Sequence, residues 1–302
     1  MLRGMLHLEQ LAELAHQHAP ALSARVAEFS IAGRHVPFNA RAQVMGVVNL
    51  SAGSWYRESV CLDADAAVQR AQVLRAQGAD MVDLGAESTL AHTDRMDAAA
   101  QCSVLEPILH RICPLGIPVS VETYLPEVAH GALKAGAAVI NLTGMAQSKQ
   151  VYALAAEHEA AVILCYVEGA NPREAGALAL ADDPIPRMMA YFEREIAIAQ
   201  REGLNRLILD PGLGFYYSNL QDGAQRVRRQ VQVFLNSFRL RELGWPVCHA
   251  LPHAFEYFRE EVRSAEAFFA VLALLGRTDL LRTHEVPQIR AVLDTLCACN
   301  KV

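Results

Sequence analysis

The chain has 302 residues, and its 27 Lys and Arg against 33 Asp and Glu give a formal net charge of −6. This balance holds no surplus of basic residues to neutralise phosphates, so we expect no general nucleic-acid binding. Hydrophobic residues make up 52% and charged residues 20%, which excludes disorder as the dominant state, and polar residues interrupt the apolar runs too often for a membrane span.

Residues 1–40 precede the repeating part of the chain, and we predict that they form an N-terminal extension. Residues 8–18 have helical spacing, and residues 28–38 predict a hairpin that turns at Ala32 and Gly33 and covers the N-terminal end of the fold. Acidic residues near the N-terminus argue against a signal peptide. The seven cysteines are irregularly spaced, as is usual for thiols of a reducing compartment, so we expect a cytoplasmic protein.

From residue 43 onward, a short apolar run precedes a helical pattern eight times. The predicted strands are 43–50, 80–85, 118–122, 137–142, 160–166, 206–210, 246–250 and 280–283, and the predicted helices are 64–77, 97–113, 126–135, 148–158, 185–202, 221–243, 264–275 and 287–296. Strands that are apolar throughout are typical of a parallel sheet buried on both faces. Eight such units predict an α/β fold, a single (β/α)8 TIM barrel over residues 41–302. An open, doubly wound sheet is the rival, but no GxGxxG motif opens any unit.

In barrels of this kind the active site lies at the C-terminal ends of the strands. Here these ends carry polar side chains, namely Asn49, Glu87, Glu122, Asn141, Glu168, Asp210, His249, His253, Arg282 and His284. Strand ends are often polar only because they meet solvent, and His249 is equally compatible with a buried core histidine. Carboxylates accept paired N–H bonds from an amino-pyrimidinone edge, asparagine both donates and accepts, and arginine stacks on rings or holds anions. The set as a whole predicts a binding site at the open end of the barrel, which we call the mouth. Its ligand would be a flat heterocycle rich in hydrogen-bond donors and acceptors.

Six segments resemble motifs of the dihydropteroate synthases, and they occur in the same order. They are MGVVNL at 45–50 (MGxxN in the family), GADMVDLGAEST at 78–89 (GADIIDIGGEST), VSVETY at 119–124 (ISVDTY), AGAAVIN at 135–141 (AGADIIN), LILDPGLGF at 207–215 (ILDPGxGF) and RTHEV at 282–286 (RVHDV). The resemblance runs from about residue 43 to the C-terminus. It implies a (β/α)8 barrel that condenses a dihydropterin pyrophosphate with p-aminobenzoate for folate synthesis.

The resemblance also implies roles for individual residues on the side of the mouth that would hold the pterin. Asp210 would bind the amino-pyrimidinone edge, while Asn141 and Glu122 would contact the ring nitrogens. Phe215 would line the pocket and Arg282 would stack against the pterin. Glutamate stands at 122 where the family has aspartate, which keeps the charge and moves it by about 1.5 Å.

At the anion end, the resemblance implies that Asn49 helps to hold Mg²⁺ and pyrophosphate, that Thr89 lies near the leaving group and that His284 lies at the anion site. The chain departs from the family here. The strand motif GxSRKS is replaced by residues 250–255 (ALPHAF), so that His253 stands for its arginine and Ala254 for its lysine. The arginine of the loop motif STRPG is also missing from residues 88–92. We predict that His253, Arg282 and His284 carry the catalysis that remains.

Three functions stay open at this point. The first is a transferase of the dihydropteroate synthase type, with altered or reduced activity. The second is a pterin-using enzyme of other chemistry, similar to the reduced-folate methyltransferases, with His253 as a titratable donor. The third is a non-catalytic pterin-binding protein. All three predict a small-molecule pterin ligand, and the apolar segment 265–275 predicts a homodimer surface.

Overall fold

The computed structural model describes residues 6–51, 56–88, 95–169, 171, 176–178, 180–215 and 217–299. It begins with helices α1 (Leu8–Gln17) and α2 (Ala19–Leu22), followed by antiparallel strands β1 (Phe29–Ile31) and β2 (Arg34–Val36). The turn between the strands has left-handed backbone at Ala32 (φ 50°) and Gly33 (φ 72°), as two-residue hairpin turns require. The predicted helix and hairpin are therefore confirmed.

Eight parallel strands form the barrel in the described part of the chain. They are β3 (Gln43–Asn49), β4 (Met81–Gly85), β5 (Val119–Thr123), β6 (Val139–Leu142), β7 (Ala161–Cys165), β8 (Leu207–Asp210), β9 (Cys248–Ala250) and β10 (Leu280–Thr283). Neighbours pair in the order β8-β7-β6-β5-β4-β3-β10-β9. The ring closes between β8 and β9, where the Leu209 amide donates to the carbonyl of Pro246 at 2.8 Å. The predicted TIM barrel is confirmed.

Helices surround the barrel. They are α3 (Ala64–Ala76), α4 (Ala98–Ile112), α5 (Pro126–Lys134), α6 (Ser148–Glu157), α7 (Ile185–Arg201), α8 (Gly223–Asn236), α9 (Phe255–Phe258), α10 (Val262–Leu275) and α11 (Val286–Ala298). The carboxylates of Asp63, Asp97 and Asp222 cap α3, α4 and α8 by accepting backbone N–H bonds. The helix predicted at 221–243 ends at Asn236 and continues as a 3₁₀ segment (Ser237–Leu243), and the short helix α9 was not predicted.

Two layers of apolar side chains build the core. The larger layer fills the space between the strands and the helices. The smaller fills the barrel, where Met45, Met81 and Ile208 pack with Ile31 and Phe38 of the hairpin region. The hairpin thus closes the barrel interior, and truncating the buried Phe38 to alanine costs about 3–5 kcal/mol of stability. No described helix is both long and apolar enough to cross a membrane.

Candidate active site

The strand ends surround one cavity of about 170 Å³. The predicted site residues Asn49, Glu122, Asn141, Asp210, Phe215, His253, Arg282 and His284 all line it. Thr89 and residues 52–55 lie outside the described residues. The structure therefore brings together every described residue with a predicted binding or catalytic role, whereas the polar strand ends Glu168 and His249 do not line the cavity.

His249 takes no part in this cavity. It is fully buried on β9, with its Nε2 atom 2.6 Å from the hydroxyl of Ser237 and its ring against Phe234. Burial lowers the pKa of His249 to about 3, so the ring is neutral at physiological pH. It is a core histidine, one of the two interpretations that its sequence position allowed.

Asp210 ends β8 at the floor of the cavity. Its Oδ1 atom accepts the Gly212 amide at 2.8 Å, and burial raises its pKa to about 6, with the Gly212 hydrogen bond and Arg282 opposing. Gly212 has a φ of 71°, and a Cβ there would lie 2.0 Å from the carbonyl oxygen of Tyr166. Only glycine fits this turn, and the turn fixes the carboxylate.

Arg282, on β10, is held between two carboxylates across the mouth. Its Nε atom lies 2.7 Å from Oδ2 of Asp83, and its Nη2 atom lies 2.7 Å from Oε2 of Glu122. Burial raises the pKa of Glu122 to about 7, although Arg282 opposes the shift. For Arg282 itself, burial lowers the pKa, but Asp83 and Glu122 outweigh burial and keep it above its usual value.

Asp83 was not predicted as a site residue. It is fully buried in the middle of β4 and also accepts the side-chain amide of Asn141 at 3.1 Å. In the parallel register Asp83 pairs with Val47 of β3 and Ser120 of β5, two residues before the level at which Gly85, Glu122 and Asn141 pair. The signal in the sequence was a single carboxylate inside an otherwise apolar strand. Together Asp83, Glu122, Asn141, Asp210 and Arg282 form what we call the carboxylate side of the mouth.

Asn49 ends β3 at the rim of the cavity. Its amide nitrogen donates to the hydroxyl of Ser59 at 2.5 Å, which fixes the orientation of the amide group. An amide oxygen suits Mg²⁺, which is usually held by one or two protein oxygens together with phosphate oxygens. The residue is compatible with one ligand position for that ion.

His253, Glu266 and His284 form a second cluster, which we call the histidine side of the mouth. Oε1 of Glu266 lies 2.8 Å from Nε2 of His253 and 3.0 Å from Nδ1 of His284. Burial raises the pKa of Glu266, but its hydrogen bonds with the two histidines outweigh burial, and the net pKa lies below the usual value. Burial lowers the pKa of His284 despite the opposing hydrogen bond with Glu266.

Glu266 was not predicted either. It lies on α10 and is the only acid within the apolar segment 265–275 (AEAFFAVLALL). A fully buried carboxylate is costly unless it is paired, so an isolated acid in an apolar helix is a signal that could have been used.

Tyr56 covers the histidine side. Its ring stacks on His284, with centroids 4.4 Å apart and an interplanar angle of 25°. Its hydroxyl donates a hydrogen bond to Oε1 of Glu285. The Nε atom of Arg263 lies 3.4 Å from the same oxygen. Burial and Glu285 together raise the pKa of the Tyr56 hydroxyl, so it stays protonated and holds the ring in place.

The arginines that line the cavity already have acidic partners. Among the described residues that line the cavity, the arginines are Arg226 and Arg282, and none is a lysine. Arg226 is ion-paired with Glu256, as Arg282 is with the carboxylate side. Ala254 lines the cavity with left-handed backbone (φ 42°), where the resemblance puts the family lysine.

The fold and the mouth define a barrel enzyme whose floor suits a flat, donor-rich heterocycle. The family model for pterin binding enzymes matches residues 45–252. The dihydropteroate synthase of Mycobacterium leprae is 30% identical over 275 residues, with coverage of 85% of this chain and 92% of that protein.

Solved structures agree. The Xanthomonas albilineans dihydropteroate synthase with 4-aminobenzoic acid has a TM-score of 0.75 at 27% identity, over 91% of this chain and 98% of that one. The complex of the X. albilineans enzyme with 7,8-dihydropteroate has a TM-score of 0.72 at 25% identity, over 91% and 99%. The chain belongs to the pterin binding enzymes, in the dihydropteroate synthase family.

Proposed function

We propose that this chain is a transferase that condenses a 6-hydroxymethyl-dihydropterin pyrophosphate with an aryl amine of the p-aminobenzoate kind, a step of folate-type biosynthesis. The observation that carries the proposal is the convergence of Asp210, Asn141 and Glu122 in one cavity at the strand ends. Structures of the X. albilineans relative, with 4-aminobenzoic acid and with 7,8-dihydropteroate, support the second substrate and the product.

The carboxylate side binds the pterin in this proposal. The ionised carboxylate of Asp210 accepts parallel N–H bonds from the amino-pyrimidinone edge, and the Gly212 amide keeps that carboxylate oriented. Asn141 and Glu122 meet the ring nitrogens, and Phe215 packs beside the ring. Arg282, anchored by Asp83 and Glu122, lines the same cavity and would stack against the pterin.

The reaction breaks the bond between the pterin methylene carbon and the pyrophosphate oxygen, and the electron pair leaves with pyrophosphate. The amine nitrogen then forms the C–N bond and loses a proton. Groups that stabilise the leaving anion supply the largest part of such catalysis. We assign this role to His253, Arg282 and His284, and Thr89 remains a prediction. Mg²⁺, with Asn49 as one ligand, would supply positive charge to the pyrophosphate when bound.

The test is an incubation of the full chain with the dihydropterin pyrophosphate, p-aminobenzoate and Mg²⁺. Dihydropteroate and pyrophosphate should appear in equal amounts, and D210N should slow the formation of both by about 10- to 150-fold at limiting dihydropterin concentration. A wild-type chain that binds no dihydropterin would overturn the proposal entirely. Binding without product would leave only the pterin pocket standing.

One observation favours a weaker form of this function. Ala254 replaces the lysine of the family motif, and the described cavity arginines are already ion-paired. Loss of one well-placed cation costs about 2.7–4 kcal/mol of transition-state stabilisation. Slow turnover is therefore the expected result. A non-catalytic pterin-binding role would show tight binding with no turnover, and methyl transfer to a corrinoid protein would reveal the methyltransferase alternative.

We also propose that the chain works as a homodimer in the cytoplasm. Phe268 and Leu275 on α10 are each about half exposed (48% and 51%), which supports an interface at this helix. All seven cysteines are free thiols, which supports a reducing compartment. Light scattering coupled to gel filtration should give twice the chain mass, and F268E should return it to a monomer.

A further inference from the structure

His253, Glu266 and His284 form a cluster whose buried acid, Glu266, has no role in the proposed reaction. The three residues come from separate parts of the barrel: the segment after β9, helix α10 and the segment after β10. Their ligand atoms all lie within 4.8 Å of one another. The two histidines line the cavity, whereas Glu266 lies behind them with no exposed surface.

We infer that His253, Glu266 and His284 bind a divalent transition-metal ion of the zinc class at the histidine side of the mouth. Two imidazoles and one carboxylate are a known protein ligand set for zinc sites that keep an open position, and for other first-row ions. This chemistry differs from that of Mg²⁺, which prefers oxygen ligands. The site is thus distinct from the predicted role of Asn49.

The three donor atoms lie near the spacing that such an ion requires. Oε1 of Glu266 lies 2.8 Å and 3.0 Å from the two ring nitrogens. An ion about 2.0–2.2 Å from each donor holds a tetrahedral set of donors roughly 3.3–3.5 Å apart. Small rotations of the side chains span this difference, since both rings sit at the accessible face of the cluster.

The surroundings orient the carboxylate as metal sites require. The second oxygen of Glu266, Oε2, accepts the hydroxyl of Thr283 and the backbone amide of His284, the latter at 3.1 Å. Oε1 is thereby turned toward the two rings. The stacked ring of Tyr56 fixes the plane of His284. Such outer contacts hold ligands in position and are a regular part of metal sites.

The substitutions seen in the sequence also point to this site. His253 stands where the family motif has arginine, and Ala254 stands where it has lysine. A divalent ion on this cluster would return positive charge to the part of the mouth that lost it. This last step, in which the ion faces the pyrophosphate of the substrate, rests on the proposed function.

Metal binding can be tested on the full chain without any substrate. After dialysis against a chelator, the wild-type chain is titrated with Co²⁺ and followed by its visible d–d absorption, and bound Zn²⁺ is counted by mass spectrometry. One ion per chain is the expected result. E266Q and H253A should each weaken Co²⁺ binding by more than the roughly 100-fold that loss of an outer partner costs.

His35 provides the matched control, because it also faces a glutamate, Glu28, at 3.5 Å, but on the surface. H35A should bind Co²⁺ as the wild type does. Circular dichroism establishes that each variant is folded, and H253A, which changes a loop residue, serves if E266Q does not fold. The inference is overturned if the wild type binds no Co²⁺ or Zn²⁺, if H253A binds as tightly as wild type, or if a thiolate charge-transfer band places the ion at a cysteine.

A second titration separates this inference from the proposed reaction. Inorganic pyrophosphate is titrated into the wild type and E266Q, each with and without Zn²⁺. Zn²⁺ should tighten pyrophosphate binding in the wild type by about tenfold or more, and should have no effect in E266Q. If Zn²⁺ binds but does not tighten pyrophosphate binding, the metal site stands, and the inference that its ion faces the pyrophosphate is wrong.

Discussion

The two sides of the cavity use buried charge in different ways. On the carboxylate side, Asp83 and Glu122 are both ion-paired with Arg282 within the barrel. On the histidine side, Glu266 faces two imidazoles. The first side is held by strand register, whereas the second depends on a helix and two connecting segments. The comparison indicates that strand register positions the carboxylate side, while the histidine side depends on connecting segments, where the resemblance predicts that this chain departs from its family.

Removing Arg282 is expected to have the largest effect. R282M leaves Asp83 and Glu122 buried without their partner, so the free energy of unfolding should fall by about 3–5 kcal/mol. Urea unfolding followed by circular dichroism measures this loss. R111A removes an exposed ion pair with Asp65 and should cost less than about 1 kcal/mol.

A further variant shows whether R282M loses stability because buried charges are left without a partner or because packing is lost. The triple variant R282M/D83N/E122Q removes the charges together and should regain most of the stability that R282M loses. If the free energy of unfolding of R282M lies within about 1 kcal/mol of the wild-type value, the ion pairs of Arg282 do not stabilise the carboxylate side.

The second effect concerns binding. D210N replaces an ionised acceptor by an amide, whose N–H₂ group would oppose the N–H donors of the pterin. Affinity for 6-hydroxymethyl-dihydropterin should fall by about 1.5–3 kcal/mol, measured by calorimetry. The same variant should be more stable than the wild type, because the desolvated carboxylate is gone. D182N, at an exposed position, should change neither quantity, and unchanged pterin affinity in D210N would remove Asp210 from the pocket.

The barrel and the carboxylate side could largely be predicted from the sequence. Strand ends at Glu122, Asn141 and Asp210 follow from apolar runs, and parallel register brings them to one edge. Asp83 was missed because it lies inside a strand rather than at its end. Its role arises only when Arg282 reaches it across the barrel.

The histidine side could be predicted only in part, for a different physical reason. His253 and His284 follow strands and were predicted, but their partner Glu266 comes from the middle of α10. The rotation of α10 about its own axis decides whether Glu266 points toward the histidines or away from them. A single sequence predicts this rotation poorly where a helical segment is apolar on all sides. Tyr56 lies outside the segments with strand or helix periodicity in the sequence, so no sequence pattern indicates its stacking on His284.

The comparison of the two sides can be sharpened by adding a cation where the resemblance places the lysine of the family. A254K places a lysine at the position of the family lysine and should tighten binding of inorganic pyrophosphate by about tenfold without added metal, through one charge-assisted hydrogen bond. A254M has a similar length and no charge, so it controls for the change of shape. Equal pyrophosphate affinities of A254K and A254M would show that the mouth does not hold its anion at this point.

The smallest expected effect is the pH dependence of pterin binding. The pKa of Asp210 lies at about 6 in the folded chain, and only the ionised carboxylate accepts both N–H bonds. Affinity should therefore be full above pH 7, about twofold lower at pH 6 and roughly tenfold lower at pH 5. The free energy of unfolding changes with pH in the opposite direction. The pKa of Asp210 in the folded chain lies above the unfolded value of 3.8, so the contribution of this group to stability is lost as pH rises through 6.

Calorimetry with 6-hydroxymethyl-dihydropterin from pH 5 to 8 measures the pH profile of affinity. Glu122 titrates nearby, at about 7, so E122Q is needed to isolate Asp210. E122Q should keep the step near pH 6, and D210N should lose it. An affinity that stays constant from pH 5 to 8 would mean that the pterin does not bind against an ionised Asp210. A step that disappears in E122Q and persists in D210N would instead assign the recognition to Glu122, the position where this chain carries the longer acid.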